Sequence, residues 1–129
     1  DVLIYDLVPE TARLDLITDA ASRRNLRVQT GAIEDSAKVK ALIKDEGITH
    51  VCHLAAVLMP FCQANPIQGG LINVIGTLNV FEGARDAGRE VRITYASSSA
   101  VWGPEDAYEA HALSENEPTK PATHYGVFK

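Results

Sequence analysis

The amino-acid sequence predicts an α/β protein built on a parallel β-sheet. Four short runs, at residues 2–5, 26–30, 48–54 and 91–96, are apolar or alternate between apolar and polar side chains, which is typical of strands. Longer segments with helical periodicity separate these runs. Polar or small residues follow each run, where the carboxyl ends of parallel strands present ligand-binding groups. We therefore expect alternating strands and helices with a functional edge at those strand ends.

The first half of the chain predicts two strand–helix units. The all-apolar run at residues 2–5 predicts a strand buried on both faces, and a helix is expected from about Thr11 to Arg24. After the strand at residues 26–30, Asp35 or Ser36 is expected to cap the next helix, and Gly47 to end it. The apolar stripe of the first helix contains Leu14, Ile17 and Ala21. The stripe of the second contains Val39, Leu42 and Ile43.

The second half predicts a long buried helix between two further strands. The strand at residues 48–54 leads into a predicted loop at residues 59–61, and Asn65 with Pro66 forms an expected N-cap and first helical position. This helix should run to about Ala87, and because it is apolar nearly all round, it should be largely buried. Gly76 within it predicts close backbone packing. The strand at 91–96 precedes a polar loop and a last helix near Tyr125.

Composition narrows the class of protein. The 129 residues are 46% hydrophobic and 22% charged with a net charge of −5, which predicts one ordinary globular domain spanning residues 1–129. No basic stripe is present, so we expect neither nucleic acid nor an anionic membrane as a partner. No apolar run approaches the length of a membrane span. Cys52, His53 and Cys62 lack the spacing of a metal site, and free thiols favour a reducing, cytoplasmic location.

The last five residues carry the most specific chemical signal. Tyr125 and Lys129 are four apart, so on a helix they share one face. A nearby ammonium favours the phenolate form of a tyrosine, which can then exchange a proton with a substrate hydroxyl. Hydride transfer from a carbinol needs such a group. The spacing alone also occurs on ordinary solvated helix faces.

Five segments together make the chain resemble the NAD-dependent epimerase/dehydratase family, the extended branch of the short-chain dehydrogenases/reductases. The segments occur in the family's order and spacing: Asp6, 53–56, 73–77, 97–103 and 125–129. The resemblance implies a Rossmann-type, doubly wound parallel sheet and NAD as cofactor. It also implies a small-molecule substrate, either a sugar nucleotide, a sugar or a sugar acid, and a homodimer in the full-length form.

The resemblance implies cofactor-binding roles for residues at the strand ends. Asp6 matches the acidic residue that accepts hydrogen bonds from the adenosine ribose, and its charge favours NAD over NADP. Ala32 stands where the family often has an Asp that contacts adenine, and Ile33 follows it. Either Glu34 or Asp35 replaces that contact, or the contact is absent. The small-residue segment beside the cofactor contains these residues: Leu54, Ala55 and Ala56.

The resemblance also implies the catalytic residues. Tyr125 is the general acid or base, and Lys129 lowers its pKa and holds the nicotinamide ribose. Ser98, five residues before Gly103, positions the reacting oxygen, and Asn73 supports Lys129 from the long helix. The family's dehydratases carry an Asp-Glu pair after this serine, where the chain has Ser99 and Ala100. A 4,6-dehydratase is therefore disfavoured, and an epimerase or a dehydrogenase remains.

The family pattern also includes parts that the chain does not contain. A first strand with a glycine-rich turn is expected upstream of Asp1, and a substrate-binding region downstream of Lys129. Without that first strand, the sheet should fall into two strand pairs with exposed edges. The chain by itself is then expected to be inactive or nearly so. A non-catalytic dinucleotide-binding or interaction protein on the same fold, or an inactive fragment, are the alternatives.

Overall fold

The structure, a computed structural model, describes residues 1–8, 12–109 and 112–129. These residues include four strands: β1 Val2–Asp6, β2 Leu26–Thr30, β3 His50–His53 and β4 Arg92–Tyr95. The short helices of the first half are α1 Ala12–Asp15 and α2 Ala20–Arg23. The others are α3 Ser36–Asp45, α4 Met59–Ala64, α5 Pro66–Gly70, α6 Gly76–Arg85 and α7 His124–Phe128.

The strands form two separate parallel pairs in the described part of the chain. β1 pairs with β2 from Val2 opposite Leu26 onward, and β3 pairs with β4 from His50 opposite Arg92 onward. The prediction of a parallel sheet that divides into two pairs is confirmed. The prediction that the first strand is buried on both faces is wrong, because Val2 is 57% exposed. Its edge has no further strand beside it within the described residues.

The core lies between α3, α6 and the strands. Val39 and Ile43 of α3 pack with Val80 of α6 and with Ala87. Gly83 permits this close approach, because a Cβ there would lie 2.9 Å from Cδ1 of Ile43. The predicted apolar stripe and the Asp35 cap of α3 are confirmed: the Lys38 N–H donates to Oδ1 of Asp35 at 3.1 Å.

The single helix predicted from about Thr11 to Arg24 is wrong. Thr11 itself lies outside the described residues, and α1 and α2 are two short helices separated by extended backbone at Asp19. The Thr18 hydroxyl donates to the Leu14 carbonyl at 2.5 Å, and Asp19 accepts from the Ser22 N–H at 2.7 Å. These side chains compete with the backbone for hydrogen bonds and start a new helix. Ile17, expected on the buried side, is 81% exposed.

The region around Pro60 also differs from its prediction. The expected loop at residues 59–61 is the first turn of α4, where proline is tolerated because the first N–H groups of a helix need no partner within it. The next helix begins at Pro66 as predicted, although the Asn65 side chain makes no cap hydrogen bond.

The long helix is interrupted by a π-helical turn, and one face of it is exposed. Between α5 and α6 the backbone at Leu71–Ile75 is π-helical. The predicted close packing at Gly76 is confirmed, since a Cβ there would lie 2.6 Å from Cγ2 of Ile33. The prediction that this helix is largely buried is wrong, because five of its large apolar side chains are 37–48% exposed. The exposed residues are Leu71, Val74, Ile75, Leu78 and Phe81.

None of the helices within residues 1–8, 12–109 and 112–129 combines the length and the hydrophobicity that a bilayer-spanning segment needs. Cys52 is exposed and Cys62 is buried, and both are free thiols.

Candidate active site

The strand end of β4 and the helix α7 bring three predicted catalytic residues into one region. Ser98 follows β4 by three residues, Tyr125 lies in the first turn of α7, and Lys129 caps the end of α7. The Thr123 hydroxyl accepts the Gly126 N–H at 3.0 Å and so fixes where α7 begins. The Lys129 ammonium donates to the Ala96 carbonyl at 2.5 Å, which ties the end of the helix to the end of the strand.

Gly126 makes this approach possible. A Cβ at this position would overlap the Ala100 carbonyl oxygen and would lie 3.0 Å from the carbonyl carbon of Ala100 and 3.0 Å from Cβ of Pro121. Only glycine therefore allows α7 to lie against the turn Ser99–Val101 that follows Ser98. No role for Gly126 was predicted from the sequence. A glycine between the tyrosine and the lysine of a helix was the available signal, since glycine often marks close backbone approach.

Ser98 is distinguished from its serine neighbours by burial and by hydrogen bonding. Ser98 is half-buried, whereas Ser97 and Ser99 are exposed. Its Oγ accepts the Ala100 N–H at 3.2 Å and caps the short 3₁₀ turn Ser99–Val101. Because the oxygen accepts in this bond, the hydroxyl proton remains available for donation to another group.

Beneath this site lies a buried polar network that is centred on His53. The His53 ring is 3% exposed and stacks on Tyr95 with 5.6 Å between the ring centroids. Its Nε2 lies 2.8 Å from the Thr77 hydroxyl, which donates to the Asn73 carbonyl at 2.7 Å. Burial, and then the Lys129 charge, lower the pKa of His53, so the imidazole is neutral at pH 7.

Asn73 holds the segment that follows β3. The side chain is 1% exposed; its Oδ1 accepts the Val57 N–H at 2.8 Å, and its Nδ2 donates to the Val57 carbonyl at 2.9 Å. It also contacts the buried Sγ of Cys62 at 3.4 Å. None of the hydrogen bonds described for this side chain goes to Lys129. The side chain of Asn73 therefore supports the site through Val57 and Cys62, and its carbonyl does so through Thr77 and His53.

We expect Asn73→Ala to lower the free energy of unfolding by about 2 kcal/mol, because it leaves the Val57 N–H without its partner, removes one of the two donors to the Val57 carbonyl and opens a small cavity. Urea denaturation followed by circular dichroism measures the loss. Asn65→Ala is the matched control, since Asn65 is exposed and makes no cap bond; it should change stability by less than about 0.5 kcal/mol. Equal losses in the two variants would contradict the anchoring role.

The remaining predicted residues lie at the carboxyl ends of β1, β2 and β3. Asp6 is exposed, and its Oδ1 accepts the Val8 N–H at 3.0 Å. The Ala32 carbonyl accepts the Tyr5 hydroxyl at 3.0 Å, and the Ile33 carbonyl accepts from Asn79 at 3.0 Å. After β3, Leu54 and Ala55 are exposed and Ala56 is half-buried.

Within residues 1–8, 12–109 and 112–129, no group of three or more His, Cys, Asp or Glu side chains is placed to bind a metal ion.

Comparison with known proteins decides the family. Residues 3–129 match the family model described as GDP-mannose 4,6 dehydratase. The chain belongs to the NAD-dependent epimerase/dehydratase family. UDP-glucuronate 4-epimerase 1 of Arabidopsis thaliana is 32% identical over 127 residues, which are 97% of this chain and 28% of that protein. UDP-glucuronate 4-epimerase 3 of the same plant is 34% identical over 77% of this chain and 22% of its own length.

Solved structures establish the fold. The Bordetella bronchiseptica enzyme WbmG, in complex with NAD and UDP, is 25% identical with a TM-score of 0.77, covering 98% of this chain and 37% of that one. The UDP-glucose 4-epimerase of Thermus thermophilus, in complex with NAD, aligns with a TM-score of 0.80 over 100% of this chain and 39% of its own, at 23% identity. The predicted incomplete Rossmann-type α/β fold is confirmed. The chain spans well under half the length of these relatives.

Proposed function

We propose that this chain forms the cofactor-binding and proton-transfer part of an NAD-dependent enzyme that transfers hydride at a secondary hydroxyl of a sugar nucleotide. The observation that carries the proposal is the packing of Gly126 on Ala100, which brings Tyr125 and Lys129 to the strand end that holds Ser98. The family is NAD-dependent, and the relatives named above are UDP-sugar 4-epimerases or were solved with NAD.

The residues at the strand ends fit a dinucleotide. Asp6 is exposed at the carboxyl end of β1, and its bond to Val8 leaves acceptor positions for two ribose hydroxyls. Its charge would disfavour a 2′-phosphate, so we propose NAD rather than NADP. Beyond β3 the short side chains of Ala55 and Ala56 leave room for a planar group beside the backbone. Ala32 and Ile33 would border the adenine side, where their carbonyls already hold the loop in place.

The protein's own part in the reaction is a proton transfer. Tyr125, as the phenolate, takes the proton of the substrate hydroxyl, and as the phenol it returns one when the carbonyl is reduced. Ser98 donates a hydrogen bond to the same substrate oxygen, because its Oγ already accepts from Ala100. The Lys129 ammonium contributes positive charge from the same helix. When bound, NAD supplies the hydride acceptor and donor.

Within the family, an epimerase or a dehydrogenase fits this site better than a dehydratase. A dehydratase needs an acid and a base directly after the serine, and these positions are Ser99 and Ala100. Ser99 is exposed, and Ala100 packs against Gly126 through its carbonyl. We therefore propose that elimination of water is not the reaction, although the matched family model carries the description of a dehydratase.

Rapid mixing of the NAD-loaded whole protein with UDP-sugars tests the function. We expect UDP-glucuronate or UDP-glucose to produce the absorbance band of reduced nicotinamide. A transient band with no net NADH identifies an epimerase, whereas accumulating NADH identifies a dehydrogenase. A protein that binds NAD but produces neither signal with any UDP-sugar, free sugar or sugar acid would contradict the enzymatic proposal and favour a non-catalytic dinucleotide-binding protein.

We further propose that the full-length protein is a homodimer that buries the exposed apolar face of α5, α6 and the π turn between them. That face presents Leu71, Ile75 and Leu78 at helical spacing, and each of these side chains is 41–48% exposed. Neighbouring apolar side chains that are exposed in this way are typical of a protein–protein interface. Light scattering coupled to size-exclusion chromatography measures the mass directly; a stable monomer at micromolar concentration would contradict this proposal.

A further inference from the structure

The ammonium of Lys129 lies against the face of an aromatic ring. Its Nζ is 4.6 Å from the centroid of the Tyr95 ring and donates to the carbonyl of Ala96, the next residue. A cation over the face of an aromatic ring within about 6 Å is attracted by the ring quadrupole. Both contacts described for this ammonium are therefore with the end of β4: one with Tyr95, its last residue, and one with Ala96, which follows it.

The orientation of the Tyr95 ring is fixed by the residues around it. His53 stacks on it with an interplanar angle of 28°. Because the Thr77 hydroxyl donates its proton to the Asn73 carbonyl, it accepts from His53, which assigns the ring hydrogen of His53 to Nε2. The stacking contact, and the hydrogen bonds that hold His53, thus determine where the ring face points.

The charged Lys129 side chain is partly buried. Burial lowers the pKa of its ammonium, and no side-chain carboxylate pairs with it among the described residues. The titratable side chains that interact with it are the neutral His53, whose pKa its charge lowers, and Tyr95, whose ring it covers. Tyr125 lies on the same helix, and α4, which packs against α7, carries the Cys62 thiol, whose pKa burial raises. The other elements packed against α7, which are α5 and the turn Ser99–Val101, carry no titratable side chain. The ring face and the Ala96 carbonyl are therefore what stabilises the charge.

We propose that Tyr95 is a positioning residue, whose ring face holds the Lys129 ammonium at the strand end that carries Ser98. The ring can act in this way because its negative face, rather than its hydroxyl, meets the cation. The contact itself is independent of turnover, whereas its consequence for catalysis rests on the proposed function. His53 has a supporting part, since it fixes the ring by stacking.

The test replaces Tyr95 in the whole protein by phenylalanine, 3,5-difluorophenylalanine and pentafluorophenylalanine. These side chains have nearly the same shape, and fluorine progressively removes the negative ring face. Reductive methylation with ¹³C-formaldehyde gives an NMR signal for each lysine, and Lys129→Arg assigns the signal of Lys129. Thermal unfolding of each variant checks the fold. The same pentafluoro substitution at Tyr108, whose ring lies 4.7 Å from the Lys120 ammonium, is the matched control.

We expect the phenylalanine variant to keep the Lys129 pKa of the wild type, and the pentafluoro variant to lower that pKa by about 0.5 unit. The Tyr108 control should leave the Lys129 signal unchanged. An unchanged pKa across the Tyr95 series in folded protein would overturn the contact. A shifted pKa with an unchanged kcat would overturn the positioning role. Absence of turnover in the wild type would instead overturn the proposed function, while the NMR series would still decide the contact.

Discussion

Tyr125→Phe is expected to lower kcat by about 10²–10⁴-fold while leaving NAD binding unchanged. The substitution removes only the phenolic hydroxyl, which is the group we propose exchanges a proton with the substrate. Tyr125 is half-buried on α7, where its ring can stay in place without the hydroxyl. Steady-state kinetics on the UDP-sugar that gives turnover, together with an NAD titration, measures both quantities.

Tyr108→Phe is the matched control for this experiment. Tyr108 is also half-buried, and its hydroxyl accepts the Gly103 N–H at 3.0 Å and donates to the Pro118 carbonyl at 3.2 Å. Removing it should loosen the loop between Ser98 and α7, with a loss in kcat of less than about 10-fold. Turnover that survives Tyr125→Phe, or that falls equally in both variants, would contradict the assignment of Tyr125 as the general acid or base.

Gly126→Ala is expected to destabilise the protein and to disable the site together. Replacing a helical glycine by alanine normally stabilises a helix by up to about 1 kcal/mol. Here the new Cβ would overlap the Ala100 carbonyl, and overpacking of this kind costs about 1–3 kcal/mol. α7 must then move away from the turn Ser99–Val101. A displacement of about 1 Å between Tyr125 and Ser98 is enough to lower kcat about 10²-fold.

Gly70→Ala separates this clash from general effects of glycine replacement. A Cβ at Gly70 would lie 3.6 Å from Cζ of Phe128, which is ordinary van der Waals contact. That variant should therefore be as stable as the wild type or slightly more stable, with unchanged kcat. Urea denaturation and steady-state kinetics of both variants give the comparison. If Gly126→Ala were as stable and as active as Gly70→Ala, α7 would not depend on the close approach.

Local signals in the sequence were sufficient for much of the framework. The cap at Asp35 and the end at Gly47 depend on residues within one helical turn, and the structure has both. The division into two strand pairs followed from the strand order that the family resemblance implied. Each of these features is set by short-range chemistry or by a topology shared across a family.

Other features depend on competition or on contacts distant in sequence. The apolar periodicity around Ile17 predicted one helix, but the hydrogen bonds of Thr18 and Asp19 outweigh it. The apolar character of the long helix predicted burial, but its composition could not show which of its side chains pack on α3 and which stay partly exposed. For the site, sequence resemblance named Ser98, Tyr125 and Lys129 individually. The roles of Gly126 and Tyr95 come from contacts with residues 26 and 34 positions away, and sequence spacing does not reveal such contacts.

Binding of NAD can be measured by a fluorescence titration of the whole protein. Trp102 is half-buried four residues beyond Ser98, and its ring meets Tyr108 edge to face at 6.4 Å, so its emission should respond to a nicotinamide ring in the site. A Trp102→Phe variant identifies its share of the signal. We expect a saturable change with NAD and a weaker one with NADP, with the difference reduced in Asp6→Asn. No response to either dinucleotide, confirmed by calorimetry on folded protein, would contradict the account.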